Sequence, residues 1–138
     1  MPASALLCLV IAIADGDSLS VRCGDHRPMR VRVAAIDAPE RGQAFGQRAR
    51  QNLARLCFRQ QAQLYTLGHD VYGRMLAHVR CGGQDVAAAQ VGAGLAWVYR
   101  AGDRDLDRLQ QQAQASRTGL WSQPRPMAPW DYRRRQRD

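Results

Sequence analysis

An Asp15-Gly16 dipeptide near the start of the chain predicts a β-hairpin. It separates the nearly continuous apolar residues 7–14 from residues 18–23, in which apolar and polar side chains alternate. Asp-Gly is typical of two-residue hairpin turns, because both central positions must tolerate positive φ. A hairpin closed there pairs residues whose numbers sum to 31, which places Cys8 opposite Cys23. We therefore expect a cross-strand disulfide between these two cysteines.

The period of the hydrophobic pattern changes between residues 29–36 and the segment that follows Gly42. Residues 29–36 alternate and predict a third strand, whereas the later segment has helical spacing and predicts an amphipathic helix. The apolar residues of that helix are Phe45, Ala49, Leu53, Leu56 and Cys57, and its basic residues Arg48, Arg50 and Arg55 are available to face water.

Residues 61–67 and 75–81 predict two more strands, joined by the polar segment 68–73. Cys57 would then end a helix and Cys81 a strand, so a second disulfide becomes geometrically possible. Four reduced, buried cysteines are the alternative, and the wide cysteine spacing does not suit structural zinc.

The second half of the chain predicts short helices and a C-terminal tail. Asp85 can cap a helix over residues 86–91, residues 95–99 look extended, and Asp103 or Asp105 opens a third helix that stops near Gly119. Residues 122–138 are predicted to be an extended tail that packs its tryptophans and frays at the basic run 133–135. The order of elements indicates one mainly β, α+β domain over residues 1–138, built on a small closed barrel.

All 20 basic residues are arginine, and only 12 acidic residues oppose them, so the formal net charge is +8. This balance favours polyanionic partners such as nucleic acids, whose phosphates accept two parallel hydrogen bonds from a guanidinium group. A solvated basic surface in a lineage that prefers arginine would give the same composition. Charge therefore indicates a class of partner but no reaction.

Four motifs occur in a specific order, at residues 15–18 (Asp-Gly-Asp-Ser), 30–40 (Arg-Val-Arg-Val-Ala-Ala-Ile-Asp-Ala-Pro-Glu), 70–74 (Asp-Val-Tyr-Gly-Arg) and 94–99 (Gly-Leu-Ala-Trp-Val-Tyr). In this combination the chain resembles the thermonuclease (staphylococcal nuclease) family over residues 7–121. The resemblance implies an OB-fold barrel of five strands with three α-helices. It also implies one bound calcium ion (Ca²⁺) and endonucleolytic cleavage of DNA and RNA that leaves 3′-phosphates.

The resemblance implies a metal site formed by Asp17, Asp37 and the main-chain carbonyl of Ala38. Calcium is a hard cation that prefers oxygen ligands, and waters and a substrate phosphate would complete its coordination. Threonine is usual in the family at position 38, but the role belongs to the carbonyl, which alanine also has.

The catalytic residues implied by the resemblance are Arg32, Glu40 and Arg74. Glu40 would be the general base that activates a water molecule, and the two arginines would bind the phosphate as negative charge develops. Arg74 would also assist the departing 5′-oxygen. Tyr72 would contact substrate phosphate, and Tyr99 (or alternatively Trp97) would stack on a base.

Residues 1–14 contain no basic residue of the kind that opens a secretory signal, and the apolar run is too short to span a membrane. Two disulfides would indicate a periplasmic or secreted protein, so we expect that an export signal has been removed. We expect a monomer that does not bind membranes. The competing hypotheses are a non-catalytic OB-type module that binds nucleic acid or protein, and a disulfide-stabilised scaffold.

Overall fold

The computed structural model describes residues 4–99 and 103–137, and a closed β-barrel lies at its centre. The strands are β1 (Leu6–Asp15), β2 (Ser18–Arg22), β3 (Met29–Val33), β4 (Ile36–Asp37), β5 (Gln61–His69), β6 (Met75–Cys81), β7 (Gln84–Asp85) and β8 (Trp97–Val98). The barrel strands follow the order β3-β2-β1-β5-β6, and a parallel pairing of β3 with β6 closes the ring. The predicted five-stranded OB-type barrel is therefore confirmed.

Within the described residues, four α-helices accompany the barrel where three were predicted. They are α1 (Gly46–Cys57), α2 (Val86–Gly92), α3 (Arg104–Ala115) and α4 (Pro129–Arg137), and a 3-10 turn spans Gly119–Ser122. Asp85 and Asp103 cap α2 and α3, each by accepting a hydrogen bond from a backbone N–H of the first turn. No helix within the described residues is long and apolar enough to cross a membrane.

The core lies between the inner face of the barrel and the apolar face of α1. Ala49, Leu53 and Cys57 are fully buried there, four residues apart, as the helical spacing predicted. Cys57 is bonded to Cys81 at the end of β6. Burying one leucine side chain of this kind contributes about 1.5–3 kcal/mol, so the apolar face of α1 holds the helix on the barrel.

The first hairpin turns one residue later than predicted. Its central residues are Gly16 and Asp17, and two register shifts along β1 absorb the difference, so the far end keeps the predicted pairing. Cys8 is bonded to Cys23 at that end. Glycine is needed in the turn for space, because a Cβ on Gly16 would lie 2.5 Å from the Cβ of Ala49.

The prediction of one strand over residues 29–36 was wrong, because the chain bends after Val33. Ala35 has a left-handed backbone conformation with φ of 73°, which a continuous strand does not allow. After this bend β4 leaves the barrel sheet and pairs with β8, with Asp37 opposite Trp97. The bend therefore places Asp37 outside the barrel sheet.

The prediction of an extended, frayed C-terminal tail was also wrong. Pro129 begins α4, where its fixed φ suits the first helical position. Asp131 lies in the first turn and arginines occupy the last, which complements the helix dipole. The tryptophans do pack, since the rings of Trp121 and Trp130 lie 4.5 and 5.6 Å from that of Trp97.

Candidate active site

Two buried carboxylates and one arginine form the centre of the candidate site. Asp17 lies in the β1–β2 turn and is 6% exposed, and Asp37 ends β4 and is 2% exposed. Nη2 of Arg32, on β3, lies 3.4 Å from Oδ2 of Asp17 and 3.5 Å from Oδ1 of Asp37. Buried charges require partners of this kind, and here one guanidinium group serves both carboxylates.

Burial raises the pKa of Asp17 to about 6, although Arg32 and the N–H of Ala38 act in the opposite direction. That N–H donates to Oδ2 of Asp17 over 2.7 Å. The charge of nearby Asp37 raises the pKa further. The barrel therefore holds two like charges close together in a poorly solvated place, where a cation would be bound favourably.

Gln90 of α2 holds the turn that carries Asp17. Its side chain is fully buried and donates to the carbonyl oxygens of Gly16 (2.7 Å) and Ala49 (2.9 Å). Its Oε1 accepts a hydrogen bond from Asn52 over 2.7 Å. Sequence reasoning missed this residue, although a glutamine within an alanine- and valine-rich helix was the available signal.

Glu40 follows β4 and faces an arginine that the sequence did not point to. Nη1 of Arg133, on α4, donates to Oε1 of Glu40 over 2.6 Å, and Nη2 donates to Oδ2 of Asp37 over 2.6 Å. These hydrogen bonds raise the pKa of Arg133 well above its usual range. Arg133 therefore joins the second carboxylate of the pair to Glu40.

Aromatic packing and one main-chain contact hold α4 in this position. The ring of Trp130 lies 5.6 Å from that of Trp97 and 6.0 Å from that of Tyr99. Nε2 of Gln43 donates to the carbonyl of Met127, just before the helix, over 2.7 Å. These contacts fix the first turn of α4, so Arg133, three residues after Trp130, is held beside the carboxylates.

Arg74 is tied to its own loop. Its Nε donates to Oδ2 of Asp70 over 2.7 Å and its backbone N–H to Oδ1 over 2.9 Å. Desolvation would raise the pKa of Asp70, but the N–H donors of Arg74 and Tyr72 outweigh it and lower that pKa. β3 pairs Arg32 with Leu76, two residues after Arg74, so Arg74 precedes β6 on the same face as Arg32.

The two tyrosines predicted to bind substrate lie in different surroundings. Tyr72 is 72% exposed, and the guanidinium group of Arg74 lies 5.5 Å from its ring centre. Tyr99 is 41% exposed and its ring is tilted against Trp130 of α4. The Tyr72 ring is therefore open to a ligand, whereas Tyr99 also supports α4.

The carboxylate oxygens of Asp17 and Asp37 suit a hard cation that also binds main-chain, water or substrate oxygens. Oδ2 of Asp17 and Oδ1 of Asp37 converge on one nitrogen of Arg32. Within residues 4–99 and 103–137, no group of three His, Cys, Asp or Glu side chains could hold a metal ion. A metal here would need a carbonyl, waters and substrate oxygens, which calcium accepts readily.

Comparison with known proteins identifies the family. The model of the staphylococcal nuclease homologue family matches residues 30–123. The chain is 43% identical to "Protein ParB" of Escherichia coli, over 91% of this chain and 77% of that protein. It is equally identical to "Micrococcal nuclease" of Shigella flexneri (91% and 79%), and 38% identical to an "Uncharacterized endonuclease" of Haemophilus influenzae (94% and 74%).

The chain therefore belongs to the staphylococcal nuclease homologues, and it is an enzyme of the nuclease type. The matched range includes Arg32, Asp37, Glu40 and Arg74. It excludes α4, so Arg133 reaches the site from a helix beyond the matched range.

Proposed function

We propose that the protein is a calcium-dependent, sugar-nonspecific endonuclease that hydrolyses DNA and RNA to products with 3′-phosphates. The observation that carries the proposal is the convergence of two buried carboxylates, Asp17 and Asp37, on Arg32, with Glu40 joined to the same cluster. Family membership and the homology to a micrococcal nuclease support a metal-dependent nuclease.

Asp17, Asp37 and the carbonyl of Ala38 would hold the calcium ion. When bound, Ca²⁺ neutralises negative charge on the phosphate oxygens of the substrate. Burial of the two carboxylates suits this role, because a dication would offset their mutual repulsion and poor solvation.

Glu40 acts as the general base in this proposal. Its carboxylate takes a proton from a water molecule, whose oxygen forms a new bond to phosphorus. The bond from phosphorus to the 5′-oxygen breaks, so the phosphate stays on the 3′-oxygen and the 5′-oxygen gains a proton. A carboxylate that is 33% exposed has access to the water that this step requires.

Arg32 and Arg74 bind the phosphate as charge develops on it. Arg32 is already placed between the two carboxylates, and Nη1 is tied to the carbonyl of Val33 over 2.7 Å, which orients its plane. Arg74 would leave Asp70, or share its donors with it, when phosphate arrives. Forked hydrogen bonds from arginine suit the trigonal arrangement of oxygens in the transition state.

Arg133 has to withdraw from Glu40 and Asp37 before the reaction. Its guanidinium group occupies Oε1 of Glu40, which has to be free to take the proton, and Oδ2 of Asp37, a proposed metal ligand. Binding of calcium and substrate would supply the competing interactions.

The two disulfides support the expected location in the periplasm or outside the cell. Cys8–Cys23 and Cys57–Cys81 join residues 15 and 24 positions apart in the sequence, and disulfides persist mainly in oxidising compartments.

The test is cleavage of end-labelled single-stranded DNA and RNA by the purified protein, with millimolar calcium or with EDTA. We expect calcium-dependent cleavage of both polymers, and end-group analysis should find 3′-phosphates. Cleavage that persists in EDTA would refute the metal assignment, and 5′-phosphate products would refute the direction of bond breaking. Binding without cleavage would instead favour the OB-type binding module.

A further inference from the structure

A groove of about 450 Å³ lies between α4 and the loop that carries Tyr72, and Glu40 forms part of its wall. Its volume is within the range of sites that bind small organic ligands. The lining residues are Glu40, Tyr72, Tyr132, Arg133, Gln136 and Arg137. We call it the α4 groove.

We propose that the α4 groove is a substrate subsite that binds the nucleotide next to the scissile phosphate. The proposal rests on the nuclease function proposed above and adds that α4, which lies beyond the residues matched by the family, supplies part of the binding surface. Because Glu40 borders the groove, a strand lying in it continues directly to the base.

The side chains of the groove combine the two chemistries that hold a single strand. Tyr72, 72% exposed, lines one side, and Tyr132 of α4 also lines the groove. Aromatic rings stack on bases of any sequence. Arg133 and Arg137 supply guanidinium groups that bind phosphate in forked hydrogen bonds. These chemistries suit a nucleotide better than an apolar ligand.

Both walls of the groove are held in place. The carbonyl of Tyr72 accepts a hydrogen bond from Nη2 of Arg30 over 2.9 Å, and its N–H donates to Asp70 over 2.9 Å. On the other side Trp130 packs on Trp97. A ligand therefore meets a largely preorganised surface, which reduces the entropy lost on binding.

The groove contains two arginines with different surroundings, Arg133 and Arg137. In this structure Arg133 donates hydrogen bonds to Asp37 and Glu40. A cation bound to Asp37 would compete with Arg133 for that carboxylate, and the released donors of Arg133 would then be able to bind a phosphate of the strand. Arg137 lines the groove from an exposed position one helical turn later.

The same helix offers a matched control. Arg134 and Arg135 line a second cavity of about 400 Å³, together with Asp131 and residues 125–127. Arg135 and Arg137 are both exposed, lie two residues apart and carry the same charge. Replacing either removes the same net charge, but only Arg137 lines the α4 groove.

The experiment measures binding of a fluorescent single-stranded DNA 12-mer in EDTA, by anisotropy, at two salt concentrations. We expect Arg137→Gln to weaken binding severalfold and Tyr132→Ala to weaken it about tenfold, whereas Arg135→Gln has less than about a twofold effect. Tryptophan fluorescence of each variant checks that Trp130 remains packed. Equal weakening by Arg137→Gln and Arg135→Gln would show general attraction to a basic helix and overturn the subsite. Unchanged binding in Arg137→Gln and Tyr132→Ala would overturn it as well.

Cleavage by the unsubstituted protein, measured in parallel with calcium, separates this proposal from the proposed function. If the unsubstituted protein cleaves DNA but the groove variants bind normally, the subsite is wrong and the nuclease assignment stands. If it binds DNA without cleaving it, and binding still depends on Arg137 but not on Arg135, the subsite stands and the proposed hydrolysis is wrong.

Discussion

Two arginines share the carboxylate of Asp37 and approach it from different parts of the fold, a barrel strand and the C-terminal helix α4. Arg32 comes from a barrel strand, is 16% exposed, and lies 3.4–3.5 Å from Asp17 and Asp37. Arg133 comes from α4, is 41% exposed, and bonds Asp37 and Glu40 at 2.6 Å. The arginine with the shorter contacts is thus the more exposed one.

This difference distinguishes two halves of the site: a permanent barrel half around Arg32 and an exchangeable helix half around Arg133 of α4. Arg32 projects from β3, between β2 and β6, and its Nη1 also donates to the carbonyl of Val33 over 2.7 Å, so its guanidinium group is the more firmly held of the two. Water can solvate the 41% exposed guanidinium group of Arg133 once it leaves, whereas Asp37, 2% exposed, then needs another cation in its place. Arg133 can therefore yield to a stronger cation at small cost.

The largest effect is expected at Glu40, which pairs with Arg133 and is the only glutamate in the sequence. Glu40→Gln removes the general base but keeps the shape of the side chain, so cleavage should fall by about 10²–10⁴-fold. Calcium and DNA binding should change little. Single-turnover cleavage and calorimetry measure the two properties separately.

The matched neutralisation on the helix half is Asp131→Asn, which should leave cleavage close to normal. Near-normal turnover in Glu40→Gln would remove Glu40 from the mechanism. An equal loss in Asp131→Asn would show that the two halves contribute alike.

Asp17→Ala should weaken calcium binding by roughly 100-fold, because it removes one of two charged ligands from the metal site. Isothermal calorimetry with calcium measures this directly, without substrate. Asp15→Ala is the control, because it removes the same charge from the same hairpin, and Asp15 accepts a hydrogen bond from Oγ of Ser18. Unchanged calcium affinity in Asp17→Ala would exclude Asp17 as a ligand.

The barrel half should also make stability depend on pH. The pKa of Asp17 is about 6 in the folded state, above its usual 3.8, so the folded protein binds the extra proton between these values. The free energy of unfolding therefore falls as pH rises from about 4 to 6, and Asp17→Asn should remove about 1–3 kcal/mol of this fall. Urea unfolding in EDTA at several pH values measures it.

Asp70 contributes a pH dependence of the free energy of unfolding with the opposite sign, so Asp70→Asn serves as the control. The pKa of Asp70 is lowered, so this carboxylate stabilises the fold above its usual pKa and loses that contribution as the pH falls. A parallel pH dependence in the unsubstituted protein and in Asp17→Asn would contradict the burial argument.

The smallest effect is expected on the helix half, at Arg133. Arg133→Gln frees Asp37 from a competing cation, so calcium should bind about two- to fivefold more tightly. Calcium titrations of this variant and of Arg135→Gln distinguish local competition from net charge. Equal changes in the two variants would contradict an exchangeable Arg133, and weaker calcium binding in Arg133→Gln would make Arg133 part of the permanent half.

Much of the barrel could be predicted from the sequence because its signals are local. Alternation over residues 18–23 and 75–81 and the helical spacing of Ala49, Leu53 and Cys57 each lie within one element. The motif at residues 30–40 likewise carries four predicted site residues, Arg32, Asp37, Ala38 and Glu40, within eleven positions.

Where a prediction failed, a nonlocal contact or a backbone detail decided the outcome. The first turn lies one residue later than predicted through two register shifts along β1, and Ala49, 33 residues after Gly16, leaves no room there for a Cβ. Ala35 ends β3 through a left-handed conformation that its residue type does not indicate. The pattern of side chains in the local sequence contains neither fact.

The sequence by itself determined the barrel, the helical face that covers it, and the order of the residues Asp17, Arg32, Asp37 and Glu40. Only the tertiary structure decided that Arg133 meets Asp37 and Glu40, 96 and 93 residues earlier in the chain. The physical reason is that hydrophobic periodicity acts within an element. A salt bridge between a C-terminal helix and a strand end exists only after the intervening chain has packed.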